Sequence, residues 1–148
     1  MSEVLVFENH DHGFVSVYKA DTKEEVRAAY FDIIKNLGDY MVYPYKENFP
    51  SDRNIELAKL DPTDLPEPFR TEVLKAIHAV ENVAKNNADD KRRYDEYLRL
   101  KSMTVEEASK ATVTEGKYER ALVMNVWDSY FDHDSDYRIG VETLNVVL

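Results

Sequence analysis

The sequence predicts an α+β fold in one small domain, residues 1–148, whose sheet is mostly antiparallel. Three observations predict it. β-branched and aromatic residues concentrate at the two ends of the chain, apolar residues recur at helical spacing through the middle, and 148 residues with 43% hydrophobic content suffice for a single core.

Glu3–Glu8 (EVLVFE) and Phe14–Ala20 (FVSVYKA) flank the polar stretch Asn9–Gly13 (NHDHG), which is the pattern of a β-hairpin. Asp21 and Thr22 precede Glu24 and Glu25 at the spacing of a capping box. Val26, Tyr30, Ile33, Ile34 and Leu37 then make one helical stripe that stops before Gly38. Tyr40–Tyr45 (YMVYPY) suits a third strand, placed at an edge by Pro44, which has no N–H to give to a ladder. Residues 46–65 hold two prolines and many acids, so they are expected to connect, with at most a helical turn near Ile55–Leu60.

From the Pro66-Glu67-Pro68 segment, Phe69, Val73, Ile77, Val80 and Ala84 fall on one helical face, and the helix is expected to reach about Lys85. Asn86–Asp90 is expected to break it, with Tyr94, Tyr97, Leu98 and Lys101 on a further helix. Thr104 and Glu107 form another capping box, opening a short helix over Val105–Ala111. Leu122/Val123, Val126/Trp127 and Tyr130/Phe131 repeat every four residues, which favours helix over strand between Glu119 and Phe131. Tyr137–Leu148 (YRIGVETLNVVL) is rich in β-formers and is expected to return to the sheet.

There is no Cys, which removes disulfides, thiolate metal sites and cysteine nucleophiles. The opening residues lack a basic leader, and no apolar run has membrane-spanning length, so a cytoplasmic protein off the membrane is expected. With 29 acids against 19 bases the net charge is −10, which repels phosphates and argues against direct nucleic-acid binding. The surplus is local. Residues 1–50 and 101–148 each carry nine acids and five bases, whereas 51–100 carry eleven and nine. A solvated surface is the ordinary use of such charge; a surface for cations or basic protein partners is the functional one.

Asp132-His133-Asp134-Ser135-Asp136-Tyr137-Arg138-Ile139-Gly140-Val141-Glu142 follows an amphipathic helix that ends at Phe131. Carboxylates at alternate positions converge on a hard cation, which needs six to eight oxygens inside one tight turn. The segment resembles an EF-hand loop: Asp132, Asp134 and Asp136 match its first, third and fifth ligand positions, and Ile139 its hydrophobic eighth. Tyr137 stands where that loop bends at Gly, and Thr143 where it closes with Glu, so Glu142 comes one residue early. A helix–loop–strand variant binding a divalent cation such as calcium through Asp132, Asp134, Asp136 and Glu142 is the form the resemblance implies. The alternative is an acidic solvated turn.

His10-Asp11-His12 at the first turn offers two imidazoles pointing the same way on extended chain, though His and Asp are also ordinary turn residues. His78 beside Ile77 reads as structural. Thr104–Leu122 resembles a helix-turn-helix, with Ala108 in the first helix and Val113-Thr114 at the corner, but Glu115 and Glu119 offset Lys117 and Arg120 where a DNA-reading helix is basic.

Ten tyrosines exceed what such a core requires, and tyrosine is enriched at interfaces. Tyr40, Tyr43 and Tyr45, with the acidic Asp128, are the candidate protein-interface residues. No catalytic signature occurs: there is no glycine-rich phosphate loop, G-x-S-x-G or H-E-x-x-H. The leading expectation is a non-enzymatic, acidic protein-binding module, in one form an antagonist occupying the basic surface of a nucleic-acid-binding protein. A calcium- or divalent-metal-binding protein is the alternative, and a metal-dependent hydrolase the third reading.

Overall fold

A computed structural model describes the backbone of residues 2–9, 14–131 and 137–144 and the side chains of 19–131. The order is β1 (Ser2–Asn9), β2 (Phe14–Ala20), α1 (Lys23–Met41), α2 (Asp52–Ala58), α3 (Phe69–Lys101), α4 (Val105–Lys110), β3 (Thr112–Glu115), β4 (Tyr118–Ala121), α5 (Leu122–Tyr130) and β5 (Tyr137–Leu144). The fold is α+β. The chain forms two compact units, residues 1–43 with 95–148, and residues 44–94.

In the first unit, β1 pairs antiparallel with both β2 and β5, giving the order β2-β1-β5. The hairpin and the returning terminal strand follow the sequence pattern. Thr22 caps α1: its hydroxyl accepts the Glu25 N–H at 3.2 Å, and Glu25 in turn accepts the Asp21 N–H at 2.8 Å. Ala20, Ala29 and Val26 join β2 to α1.

α1 does not stop before Gly38. It runs to Met41, so Tyr40 and Met41 are helical and residues 42–50 have no regular structure, in place of the expected third strand. The reason lies opposite Gly38, where Tyr97 packs so closely that a Cβ would run into its hydroxyl and sit 2.9 Å from Cε2 and Cζ. This glycine is kept for close approach inside the helix rather than for its end.

α1 packs against α4 and α5. Ile34, Leu100, Leu122, Val123, Val126 and Phe131 are fully buried in this unit. Trp127 stacks on Phe131 at 4.8 Å, and Tyr30 meets Trp127 edge-on at 5.0 Å. Each such side chain contributes roughly 1.5–3 kcal/mol, against about 0–1 kcal/mol for an exposed ion pair, so these contacts hold the unit.

The capping box of α4 forms as its sequence requires. The helix-turn-helix resemblance fails immediately after it, because residues 112–121 are the two-stranded hairpin β3–β4. Thr112, Val113 and Thr114 favour extended chain, and Gly116 takes φ +59° at the first of two turn positions, as a type II′ turn requires. The helix expected from Glu119 therefore begins at Leu122.

In the second unit, Ser51 caps α2 by accepting the Asn54 N–H at 3.2 Å. The Arg70 N–H donates to Pro66 O at 3.0 Å, which places the start of α3 at the Pro-Glu-Pro segment. Val73 and Ala76 are buried, with Ile77, Val80 and Val83 partly so; Ala84 is exposed, so the stripe runs one position off the expected one. The expected break at Asn86–Asp90 is absent: α3 is continuous over 33 residues. Asn and Asp cost a helix only up to about 0.7 kcal/mol each, and no Gly or Pro stands there. Asp89–Arg92 and Asp90–Arg93 pairs span the stretch at 4.0 and 3.8 Å, and Asn87 has a partner outside the helix.

Candidate interaction and cation sites

Tyr40 and Tyr43 flank the C-terminal end of α1. They are 74% and 81% exposed, whereas Val42 between them is 7% exposed and closes the helix by donating its N–H to Gly38 O at 2.8 Å. The segment is thus anchored from inside while it presents two aromatic rings outward. Asp39 pairs with Lys101 at 2.9 Å, and the same ammonium lies 5.9 Å from the Tyr97 ring centre, tying the last turn of α1 to the end of α3. Tyr45, in the second unit, is half-buried, and its phenol is held above its ordinary value by burial first and then by Glu47 and Asp90.

Asp128 is not a lone surface charge. It forms an ion pair with Arg120, whose guanidinium also reaches Asn125 Oδ1 at 3.4 Å. Asn125 is 6% exposed and donates to Glu96 Oε2 at 2.7 Å. The chain Glu96–Asn125–Arg120–Asp128 locks the hairpin and α3 onto α5, and it explains a buried Asn on a helix whose apolar pattern is otherwise regular. The buried carboxamide thereby has a partner for both its oxygen and its nitrogen, as a polar group at such a position requires.

Of the candidate cation ligands, Asp132, Asp134 and Asp136 lie outside the described residues, as do His10 and His12. Glu142 is on β5, in register with Val4 of β1. α5 ends at Tyr130 and β5 begins at Tyr137, on either side of segment 132–136. Asn9, the last residue of β1, pairs with Phe14, the first of β2, and with Tyr137, the first of β5. Neighbouring strands lie about 4.8 Å apart, so the attachment points of segments 10–13 and 132–136 fall within about 10 Å at one end of the sheet.

His78 is exposed on α3, 4.0 Å from Glu81 Oε2. Among the described residues no three His, Asp or Glu side chains are placed to hold a metal, and no helix is long and apolar enough to cross a membrane. Asn87 was missed by sequence reasoning. Its role depends on a main chain 39 residues away, and no local pattern announces that. No protein-family model matches the chain, and no curated protein or solved structure matches it.

Proposed function

We propose that this protein is a non-enzymatic binding module for a basic protein partner. The observation that supports this most directly is the pair Tyr40 and Tyr43, three-quarters exposed on either side of the buried Val42. Rings held this way offer large contact area at little further entropic cost, which is what an interface anchor needs. The net charge of −10 favours a basic partner and gives it electrostatic steering. One form of the module is an antagonist whose carboxylates occupy the groove of a nucleic-acid-binding protein, a role suited to a cytoplasmic protein.

The test is affinity capture at low and high salt with the wild type and a Tyr40→Ala/Tyr43→Ala variant. A partner held at low salt, released at high salt and lost by the variant is the expected result. If nothing is retained at low salt, or if the variant retains the same partner equally, the reading fails.

One observation favours a second reading, binding of calcium or another divalent cation through Asp132, Asp134, Asp136 and Glu142. The pairing of Asn9 with both Phe14 and Tyr137 brings the roots of the two His- and Asp-bearing segments together. Binding to the native state raises its stability. Melting temperature is expected to rise with millimolar calcium, manganese or zinc relative to chelator, and unchanged melting with all three removes this reading. Hydrolysis at such a centre would further require turnover that His12→Ala and Asp134→Ala abolish.

A further inference from the structure

β5 is the outer strand of the sheet β2-β1-β5, and its free edge has no strand partner among the described residues. The other outer strand, β2, packs against α1. Such an edge presents a row of unpaired N–H and C=O groups, which proteins usually blunt with Pro, charged side chains of one sign, above all Lys, a bulge or a covering element, whereas the two charges of β5, Arg138 and Glu142, are opposite in sign. β5 reads Tyr-Arg-Ile-Gly-Val-Glu-Thr-Leu, with neither Pro nor Lys, and pairs with β1 one to one over all eight residues without a bulge.

The sequence of β5 is self-complementary when it runs antiparallel to itself about Gly140. Arg138 then stands opposite Glu142, Ile139 opposite Val141, and Tyr137 opposite Thr143, each pair occurring twice by symmetry. Opposite charges and β-branched pairs at directly facing positions stabilise a sheet, and like charges there destabilise it. Centring the pair on Arg138 or Glu142 sets like charge against like, as does a parallel in-register arrangement. Centring it on Ile139 or Val141 gives neither charge an opposite partner. On the inner side Arg138 is paired with Glu8 and Glu142 with Val4. The row Glu8, Arg138, Glu142, Val4 would therefore cross the boundary between two copies with charges alternating.

We propose that two copies of this chain associate through antiparallel pairing of their β5 edges about Gly140, joining two three-stranded sheets into one of six strands. The interface is isologous, as a two-fold dimer requires.

The experiment is sedimentation equilibrium of the full chain over a concentration series, with circular dichroism as the check on folding. The wild type is expected to dimerise. Arg138→Glu alone and Glu142→Arg alone are each expected to weaken the dimer by roughly ten-fold or more, since each places two like-charge pairs across the axis. Mixing these two variants restores association as a heterodimer, because every facing pair is again unlike. The double variant Arg138→Glu/Glu142→Arg restores the homodimer; if the variants carrying Arg138→Glu do not fold because they set Glu against Glu8, Glu142→Arg, whose inner partner is the neutral Val4, carries the test by itself. A wild type that stays monomeric up to its solubility limit overturns the proposal. So do single variants that dimerise as the wild type does, or a folded double variant that stays monomeric.

Discussion

Asn87 and Asn48 hold each other in both directions: the Asn87 carboxamide accepts the Asn48 N–H at 3.0 Å and donates to the Asn48 carbonyl at 2.8 Å. A side chain on a helix thereby supplies both hydrogen bonds that a neighbouring strand would have supplied to residue 48.

The first prediction follows from those two bonds. In Asn87→Ala, each exposed bond lost costs about 0.5–1 kcal/mol, and the better helix propensity of Ala returns up to about 0.7 kcal/mol. Global stability should therefore fall by less than about 1.5 kcal/mol, while hydrogen exchange at the Asn48 amide rises sharply. Asn87→Asp keeps the acceptor and loses the donor, so it should retain part of that protection. An Asn48 amide equally protected in Asn87→Ala would show that the pair does not order the segment.

Gly38→Ala should destabilise the first unit even though the same exchange in an open helix stabilises by about 1 kcal/mol. The added methyl meets Tyr97, and overpacking of this kind costs typically 1–3 kcal/mol. The diagnostic is a change of sign. In a Tyr97→Leu background, itself weaker, Gly38→Ala should become neutral or stabilising. Denaturant unfolding of the four proteins measures it, and additivity across that cycle would remove Tyr97 as the cause.

The same contact shows which parts of the fold were legible. The caps at Thr22 and Thr104 and the period of Val26, Tyr30, Ile33 and Ile34 are local chemistry, and the sequence shows them directly. Gly38 reads as a helix stop in the sequence because its local meaning and its tertiary meaning are opposite, and only Tyr97, 59 positions later, decides between them. Asn86–Asp90 reads as a break because its intrinsic helix penalty is local, whereas the Arg92 and Arg93 pairs that offset it form only in the folded helix. The β3–β4 hairpin did carry a local signal, Gly116-Lys117 between runs of strand formers, which the four-residue repeat beginning at Leu122 masked. For the candidate sites, a tyrosine excess pointed to Tyr40 and Tyr43 but could not distinguish them from the half-buried Tyr45, since exposure is a property of the packed chain. The acidic run likewise gave no sign that Asp128 is bound to Arg120.

Asn125→Asp should cost more than Asn125→Ala at neutral pH. Alanine removes two partners from a buried position, about 1–3 kcal/mol. A carboxyl there instead faces Glu96, whose oxygen lies 2.7 Å from the present Nδ2, and Arg120 offsets only part of the repulsion. A like charge raises the folded-state pKa of the new group, so its penalty is greatest above that value and shrinks as pH falls through it. Unfolding free energies at pH 7 and near pH 4.5 should converge for Asn125→Asp and Asn125→Ala. A constant gap between them would place the cost elsewhere.

The start of α3 should respond to acid through Glu67. Its carboxyl is held below the ordinary value of 4.5, first by the Thr71 hydroxyl, which donates at 2.5 Å, and then by Arg70, whose Nε donates at 2.9 Å. A folded-state pKa below the unfolded one gives a contribution present in full above the unfolded value and lost as pH falls through the folded one. The amides of the first turn of α3 should accordingly lose protection only in that acidic window, with no change between neutral pH and the ordinary carboxylate range. Thr71→Val removes the larger cause and should move the Glu67 titration upward more than Arg70→Gln does, as followed by carboxyl carbon shifts in an NMR titration. If Arg70→Gln produced the larger movement, the charge of Arg70 rather than the hydroxyl of Thr71 would be what holds Glu67 ionised at the head of the helix.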